Sequence, residues 1–174
     1  MSGRREDRQA AIRRTAAADR EREQVVAAAL GREWNCTMLA TPPFCRYDFT
    51  AYRDGERVGI VELRSQLSRT TADYGGCVFA DDGKVRALRR IAARLAVSAA
   101  VYAWHFPLVV HWLDVTGDLP LSAVLVRTGR TDRVPPEVRD TWRIPLSDTA
   151  AVALPTFTQA AIARRIAGLG DQGG

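Results

Sequence analysis

The chain has 174 residues, of which 47% are hydrophobic, and a formal net charge of +5 from 25 Lys and Arg against 20 Asp and Glu. This length allows one domain but not two full cores, and the hydrophobic content excludes global disorder. A net positive charge is expected of a protein that binds a polyanion such as nucleic acid. It is equally expected of any protein from an arginine-rich proteome. Lys84 is the only lysine among the basic residues.

Cysteine and hydropathy patterns bear on the cellular compartment. The three cysteines, Cys36, Cys45 and Cys77, form no CxxC pair, which favours a reduced, cytoplasmic protein over a disulfide scaffold or a zinc ribbon. Polar residues and a proline interrupt the longest strongly apolar stretch, 95–112, so no membrane span is expected. The first residues are charged and lead into no apolar segment, so no secretory signal is expected.

A helix and a hairpin are predicted in the first part of the chain. Residues 5–31 predict a long helix, because proline is absent, alanine is abundant and Gly31 stands where a helix would end. Residues 46–64 predict a β-hairpin. Hydrophobic residues alternate on both sides of Asp54-Gly55, which is a strong two-residue turn signal.

The second part of the chain predicts a helix followed by further strands. After a polar stretch at 65–80 that is long enough for a functional loop, Asp81 or Asp82 can cap a helix over 83–98. The remaining pattern predicts strands at 108–114, 121–127 and 142–146, a polar loop at 128–141, a helix at 157–169 and a flexible tail at 170–174. Residues 1–169 are therefore expected to form a single α/β domain.

The predicted hairpin brings two acidic residues together. Asp48 lies six residues before the turn and Glu62 seven residues after it, so the two are opposed to within one residue of register. Opposed like charges destabilise a sheet, and a divalent cation such as Mg²⁺, which commonly takes one or two carboxylates, would compensate. Arg64 follows Glu62 by two residues and is expected on the same strand face. Such a metal site can polarise a phosphodiester.

The order of these residues resembles the PD-(D/E)XK nuclease superfamily. The matching segments are Tyr47-Asp48, Val61-Glu62-Leu63-Arg64 and Lys84, and the likeness extends over roughly residues 10–130. The resemblance implies a restriction-endonuclease-like α/β core, with a mixed sheet of about four to five strands flanked by helices. The order is similar to that of the small proteins of this superfamily that bacteriophages often encode. This similarity implies that the protein acts in the host cytoplasm. It implies a metal-dependent nuclease that hydrolyses DNA phosphodiester bonds with Mg²⁺ or Mn²⁺.

The resemblance also implies roles for individual acidic residues. Asp48 and Glu62 would bind the metal, and the carbonyl of Leu63 would add a ligand. A first-helix acid is common in the superfamily, and Glu23 is the expected one because it interrupts an apolar helical stripe. The alternatives are Asp19 and Glu21 on that helix and Glu33 just after its predicted end.

The chain departs from the superfamily pattern at Arg64, where the motif has a lysine. Arginine keeps the positive charge, but it cannot shed a proton or act as a compact point charge. Three interpretations stay open. Arg64 retains partial function, the lysine's role has moved to Lys84 on the neighbouring helix, or the active site is dead. The last would leave a catalytically inactive module that binds nucleic acid or another protein.

Polar and basic residues close to the motif are candidates for contact with DNA. Ser65 and Gln66 directly follow the motif and can donate hydrogen bonds to a phosphate. Arg86 and Arg90 lie on the outer face of the second predicted helix, where they can contact the DNA backbone. DNA is therefore the expected partner, and a homodimer is left open.

Overall fold

The computed structural model describes residues 20–42, 44–67, 70–130 and 137–154. Helix α1 covers residues 20–33 of this part of the chain. The elements that follow are β1 (Thr37–Ala40), β2 (Phe49–Arg53), β3 (Glu56–Ser65), β4 (Cys77–Asp81), α2 (Asp82–Leu95), β5 (Ala99–Phe106), β6 (Val109–Asp114), β7 (Val124–Arg130), β8 (Glu137–Pro145) and β9 (Ala150–Ala153). Single 3-10 turns lie at Ala72–Tyr74 and Leu146–Asp148.

Within the described residues the strands form two sheets. The larger sheet has six strands in the order β1-β2-β3-β5-β6-β9, and the smaller has three in the order β4-β8-β7. β3 and β5 pair in parallel, whereas the other neighbours in the larger sheet are antiparallel. A parallel pair needs a crossover connection, and the segment with β4 and α2 supplies it. The expected α/β class and mixed sheet are confirmed, with six described strands instead of four or five.

Helices α1 and α2 pack on opposite faces of the larger sheet. Successive side chains of a strand point to opposite faces. Accordingly, Ile60 and Tyr102 pack in the core with α2, while Val61 and Val101 pack in the core with α1. Glu62 shares the parity of Ile60, so it faces the α2 side. The buried hydrophobic residues that the helices contribute are Val26, Ala27, Ala29 and Leu30 from α1 and Val85, Leu88 and Ala92 from α2.

The predicted hairpin is confirmed as β2 and β3. Its turn residues Asp54 and Gly55 have φ angles of 52° and 80°, the left-handed values that a tight two-residue hairpin turn requires. Phe49 pairs with Val61, and the Asp48 amide donates to the Val61 carbonyl at 2.8 Å. The pairing therefore extends past the end of β2 to the first acidic residue of the motif.

Helix α1 continues past the glycine at which it was expected to end. It runs to Glu33, and Asn35 adopts the left-handed conformation with φ 49°. Gly31 instead permits a close approach, because a Cβ at this position would lie 2.8 Å from the Cys36 carbonyl oxygen. The earlier part of the helix predicted over 5–31 lies outside the described residues.

The second predicted helix is confirmed as α2, with slightly different ends. Asp81 caps it, since its carboxylate accepts a hydrogen bond from the Lys84 amide at 3.0 Å. The helix ends at Leu95 and not at residue 98, because Ala96 takes a left-handed conformation with φ 52°. No helix in the described part of the chain is long and apolar enough to cross a membrane.

Several strands differ from the sequence-based prediction. The loop expected at 65–80 contains β4, whose Cys77, Val78 and Ala80 are buried. β8 is a nine-residue strand at the centre of the smaller sheet, not a short edge strand at 142–146, and its first half replaces part of the loop expected at 128–141.

Other elements have no counterpart in the prediction or lie beyond the described residues. β1, β5 and β9 are additional strands, and β5 lies at the centre of the larger sheet. The strand expected at 108–114 is confirmed as β6, and the strand expected at 121–127 begins later, as β7, in the other sheet. The helix predicted at 157–169 and the tail at 170–174 lie outside the described residues.

Candidate active site

Two carboxylates of the hairpin share one cavity on the α2 side of the larger sheet. Glu62 lies in β3 and is only 5% exposed, and the half-buried Asp48 directly precedes β2. The pairing of Phe49 with Val61 places Asp48 beside Glu62 across the hairpin, as the sequence predicts. Both side chains line a cavity of about 600 Å³.

Asp48 is oriented by the backbone of the opposite strand. Its Oδ2 accepts a hydrogen bond from the Leu63 amide at 2.7 Å. Burial raises the pKa of Asp48, and the Leu63 hydrogen bond and the charge of Lys84 act in the opposite direction. The carboxylate is therefore fixed in orientation and lies near a cation.

Lys84 forms an ion pair with Glu62 from the first turn of α2. The cap at Asp81 holds the Lys84 backbone at the start of the helix, directly after β4. Burial lowers the pKa of Lys84, the nearby Asp48 raises it, and Arg139 lowers it further. The only lysine of the sequence thus lies against the two hairpin carboxylates.

Three further aspartates line the same cavity, and each is bound by another side chain, Asp140 by Arg127. Asp81 Oδ2 accepts a hydrogen bond from Arg139 at 3.0 Å. Asp82 Oδ1 accepts from Trp142 Nε1 at 2.8 Å, and its Oδ2 pairs with Arg86 at 2.6 Å. These contacts fasten the start of α2 to β8. Glu62 is likewise paired, with Lys84, and Asp48 accepts a hydrogen bond from the Leu63 amide, so what distinguishes the hairpin carboxylates is their opposed position across the two strands.

The chemistry of the hairpin pair fits a hard divalent cation. Mg²⁺ prefers oxygen ligands, and it commonly binds proteins through one or two carboxylates and keeps water and phosphate oxygens for the rest. Asp48 and Glu62 supply such a pair, and Glu62 already attracts the Lys84 ammonium. Among the described residues, no group of three or more His, Cys, Asp and Glu side chains is placed to hold a metal ion.

The structure does not bring Glu23 into this group. Helix α1, which carries Glu23, packs its buried residues against the opposite face of the larger sheet. The apolar stripe predicted that Glu23 lies on the side of α1 that faces the sheet. It did not predict on which face of the sheet α1 packs. Of the alternatives, Glu21 and Glu33 lie on the same helix, and Asp19 lies outside the described residues.

Arg64 occupies the motif position of the lysine but lines a different cavity. It is exposed near the end of β3 and interacts with the buried Tyr102 hydroxyl. Burial raises the pKa of Tyr102, and the charge and hydrogen bond of Arg64 oppose that rise. The cavity that Arg64 lines measures about 420 Å³ and does not include Glu62.

The residues predicted to contact DNA lie around these two cavities. Arg86 lines the carboxylate cavity. Arg90 is exposed one turn further along α2, where it lines a groove with Arg46. Ser65 is exposed at the end of β3, and Gln66 lines the cavity of Arg64.

Arg139 is a residue of the site that the sequence analysis did not identify. It lies on β8 and lines both the carboxylate cavity and the cavity of Arg64. Its ion pair with Asp81 contributes to the anchoring of α2. The segment 128–141 was expected to be a loop, so nothing in the pattern indicated that Arg139 would face the site. Val138, Thr141, Trp142 and Ile144 are strand-forming residue types, and their frequency in this segment is the signal of a strand.

Comparison with known proteins identifies the family. Residues 11–151 match the family described as "Phage putative PDDEXK endonuclease". The match spans most of the sequence, and the chain belongs to this family of phage PDDEXK endonucleases. The match includes the hairpin and α2, so the resemblance stated from the sequence is confirmed.

A solved structure also resembles the chain. It is the 1.6 Å resolution structure of Archaeoglobus fulgidus Hjc, a Holliday junction resolvase from an archaeal hyperthermophile. The two share 14% sequence identity over 75% of this chain and 85% of that chain, with a TM-score of 0.46. No curated protein matches the chain.

Proposed function

We propose that the chain is a divalent-metal-dependent nuclease that hydrolyses DNA phosphodiester bonds in the cytoplasm of the bacterial host. The observation that supports this most is the meeting of Asp48, Glu62 and Lys84 in one cavity. Membership of a phage endonuclease family supports the reaction class. Mg²⁺ or Mn²⁺ is the cofactor that suits the two carboxylates.

The proposal assigns a role to each residue of the cavity. Asp48 and Glu62 would hold the cation, which when bound polarises the phosphodiester and lowers the pKa of a water molecule. Lys84, as a compact ammonium, would stabilise the negative charge that develops on the phosphate or position the attacking water. Arg64 has the planar fork suited to a neighbouring phosphate oxygen.

The surface near the cavity would hold the DNA backbone. Arg86 is exposed at its edge, although it pairs with Asp82. Arg90 and Arg94 continue along α2, and Arg46 from the loop before β2 lies across the same groove. Arginine contacts to phosphate give affinity without sequence specificity and weaken as salt rises.

Cleavage of supercoiled plasmid by the purified chain tests the proposal. We expect nicking with Mg²⁺ or Mn²⁺ and none with EDTA. Glu62→Gln should abolish nicking, because it removes the charge and nearly preserves the shape. Glu56→Gln is a matched control, since Glu56 is exposed at the start of the same strand. Absence of cleavage with both metals, together with absence of metal binding by calorimetry, would contradict the proposal.

Arg64 favours a second candidate function. An arginine at the motif position is compatible with a catalytically inactive relative that binds nucleic acid or another protein. That alternative predicts DNA binding, or binding to a protein, with no nicking under either metal. The plasmid assay combined with a DNA-binding assay therefore separates the two candidates.

A further inference from the structure

A second cavity lies next to the carboxylates, between the two sheets. It measures about 420 Å³, which is within the usual size range of small-molecule pockets. Strands of both sheets line it, and Asp81 and Arg139 line both this cavity and the carboxylate cavity. The two cavities therefore adjoin along the Asp81–Arg139 ion pair.

Aromatic rings form one wall of this second cavity. The Tyr74 ring centroid lies 5.9 Å from that of Phe79 and 6.0 Å from that of Phe106. Phe106 is buried, whereas Tyr74 and Phe79 are half-buried, so part of each of these two rings is accessible. Accessible aromatic faces of this kind stack on nucleobases without regard to base identity.

Cationic and polar groups form the rest of the cavity. Arg64 is exposed, and the Arg139 side chain is 33% exposed, so both guanidinium groups reach solvent. Gln66 Oε1 accepts a hydrogen bond from the Tyr74 hydroxyl at 2.6 Å, which fixes the amide whose NH₂ group can donate to a base edge. Flat apolar walls beside two guanidinium groups match a nucleotide, which has a flat base and an anionic phosphate.

We propose that this cavity binds an unstacked nucleobase of the DNA strand whose phosphate lies at Asp48 and Glu62. The proposal rests on the nuclease function proposed above. A base in an intact duplex is stacked and paired and cannot enter such a cavity without being extruded. The preferred substrate is therefore DNA with unpaired nucleotides beside the cleaved bond, such as single strands, flaps, gaps and the locally unwound regions of a negatively supercoiled plasmid.

Fluorescence anisotropy with two short strands tests this proposal. One is an oligothymidylate and the other an abasic strand of the same length, each with the wild-type chain in EDTA. We expect the oligothymidylate to bind more tightly by roughly 5- to 150-fold for each stacked base. Tyr74→Ala should remove most of that difference and leave the affinity for the abasic strand unchanged. Tyr74→Phe, which keeps the ring, should retain it.

The controls keep the test decisive. Tyr52→Ala should preserve the preference for bases, since Tyr52 is a half-buried tyrosine that lines a separate pocket beside α1. If Tyr74→Ala loses its circular dichroism spectrum, Phe79→Leu takes its place with the same expectation. Equal affinity of the wild-type chain for the two strands would overturn the base-binding proposal and leave the nuclease proposal intact. Absence of binding to any DNA, together with absence of plasmid nicking, would overturn both.

Discussion

The ammonium of Lys84 pairs with the carboxylate of Glu62, so the lysine of the site comes from helix α2 and not from the motif strand. The motif position two residues after Glu62 holds Arg64, which lines the neighbouring cavity instead. The cap at Asp81 explains this arrangement, because it starts α2 directly after β4 and places Lys84 in the first turn. Of the interpretations left open by the sequence, a relocated lysine is the one that this contact favours.

Substitution of the two candidate cations should separate their roles. Lys84→Ala is expected to lower the single-turnover cleavage rate by about 100-fold or more, because it removes a charge that stabilises the transition state. Arg64→Ala should lower the rate much less. Adding Arg64→Lys to Lys84→Ala should restore part of the lost rate, since it returns a lysine to the motif position. If Arg64→Ala lowered the cleavage rate more than Lys84→Ala did, the catalytic positive charge would be that of Arg64 on β3.

The salt dependence of DNA binding should report on the arginines of α2. Arg90 is exposed beside the groove with Arg46, so Arg90→Ala should remove one phosphate contact. The slope of log affinity against log salt should then fall in magnitude by about 1 for duplex DNA. Arg57→Ala is the control, since Arg57 is exposed near the hairpin turn, and it should leave the slope unchanged. An unchanged slope for Arg90→Ala would place the DNA on another surface.

Protonation of His105 should make the fold less stable in mild acid. Burial, with a smaller contribution from Arg22, lowers the pKa of His105 to about 4 from its usual 6.5. As pH falls below 6.5 the unfolded chain gains this proton before the folded chain does, so the free energy of unfolding decreases down to about pH 4. From pH 7 to pH 5 the loss should be about 2 kcal/mol, measurable by urea denaturation.

Matched histidine variants isolate this contribution. His105→Leu should reduce the loss of stability between the two pH values, and it removes a buried Nδ1 that has no hydrogen-bond partner among the described residues. His111→Leu is the comparison: burial also lowers the pKa of the half-buried His111, but by less than that of His105, so this variant should reduce the loss of stability by a smaller amount. If His111→Leu, and not His105→Leu, flattened the pH dependence, the assignment to His105 would be wrong.

Gly31 should tolerate no side chain despite its position in a helix. Alanine ordinarily stabilises a helix relative to glycine by about 1 kcal/mol, but a Cβ here would lie 2.8 Å from the Cys36 carbonyl oxygen. We therefore expect Gly31→Ala to lower the melting temperature. Gly117→Ala is the control, because no atom lies within 4 Å of the position of its Cβ. A melting temperature of Gly31→Ala equal to or above that of the wild type would contradict this packing.

The hairpin and its carboxylates were predictable because their signals are local. Asp54 and Gly55 specify the turn, which opposes Asp48 and Glu62 to within one residue, and an irregularity of the pairing between Ala51 and Tyr52 supplies the remaining shift. Both features depend on residues close together in the sequence.

The elements that escaped prediction depend on distant partners. β5 is buried along nearly its whole length, so its residues do not alternate between polar and apolar and give no periodic signal. β8 carries many polar residues because its side chains lie near the site, where Arg139 and Trp142 pair with the two aspartates at the start of α2. The face on which α1 packs is likewise a tertiary property, and the helical stripe around Glu23 could not reveal it.

The most direct test of the account is the rate of plasmid nicking in Mg²⁺ by the wild-type chain and by Asp48→Asn. Asp48 and Glu62 share one cavity with Lys84, so the account predicts that the wild type nicks the plasmid only with a divalent metal and that Asp48→Asn does not nick it. Nicking by the wild type in EDTA, or nicking by Asp48→Asn at the wild-type rate, would contradict the assignment of this cavity as the active site.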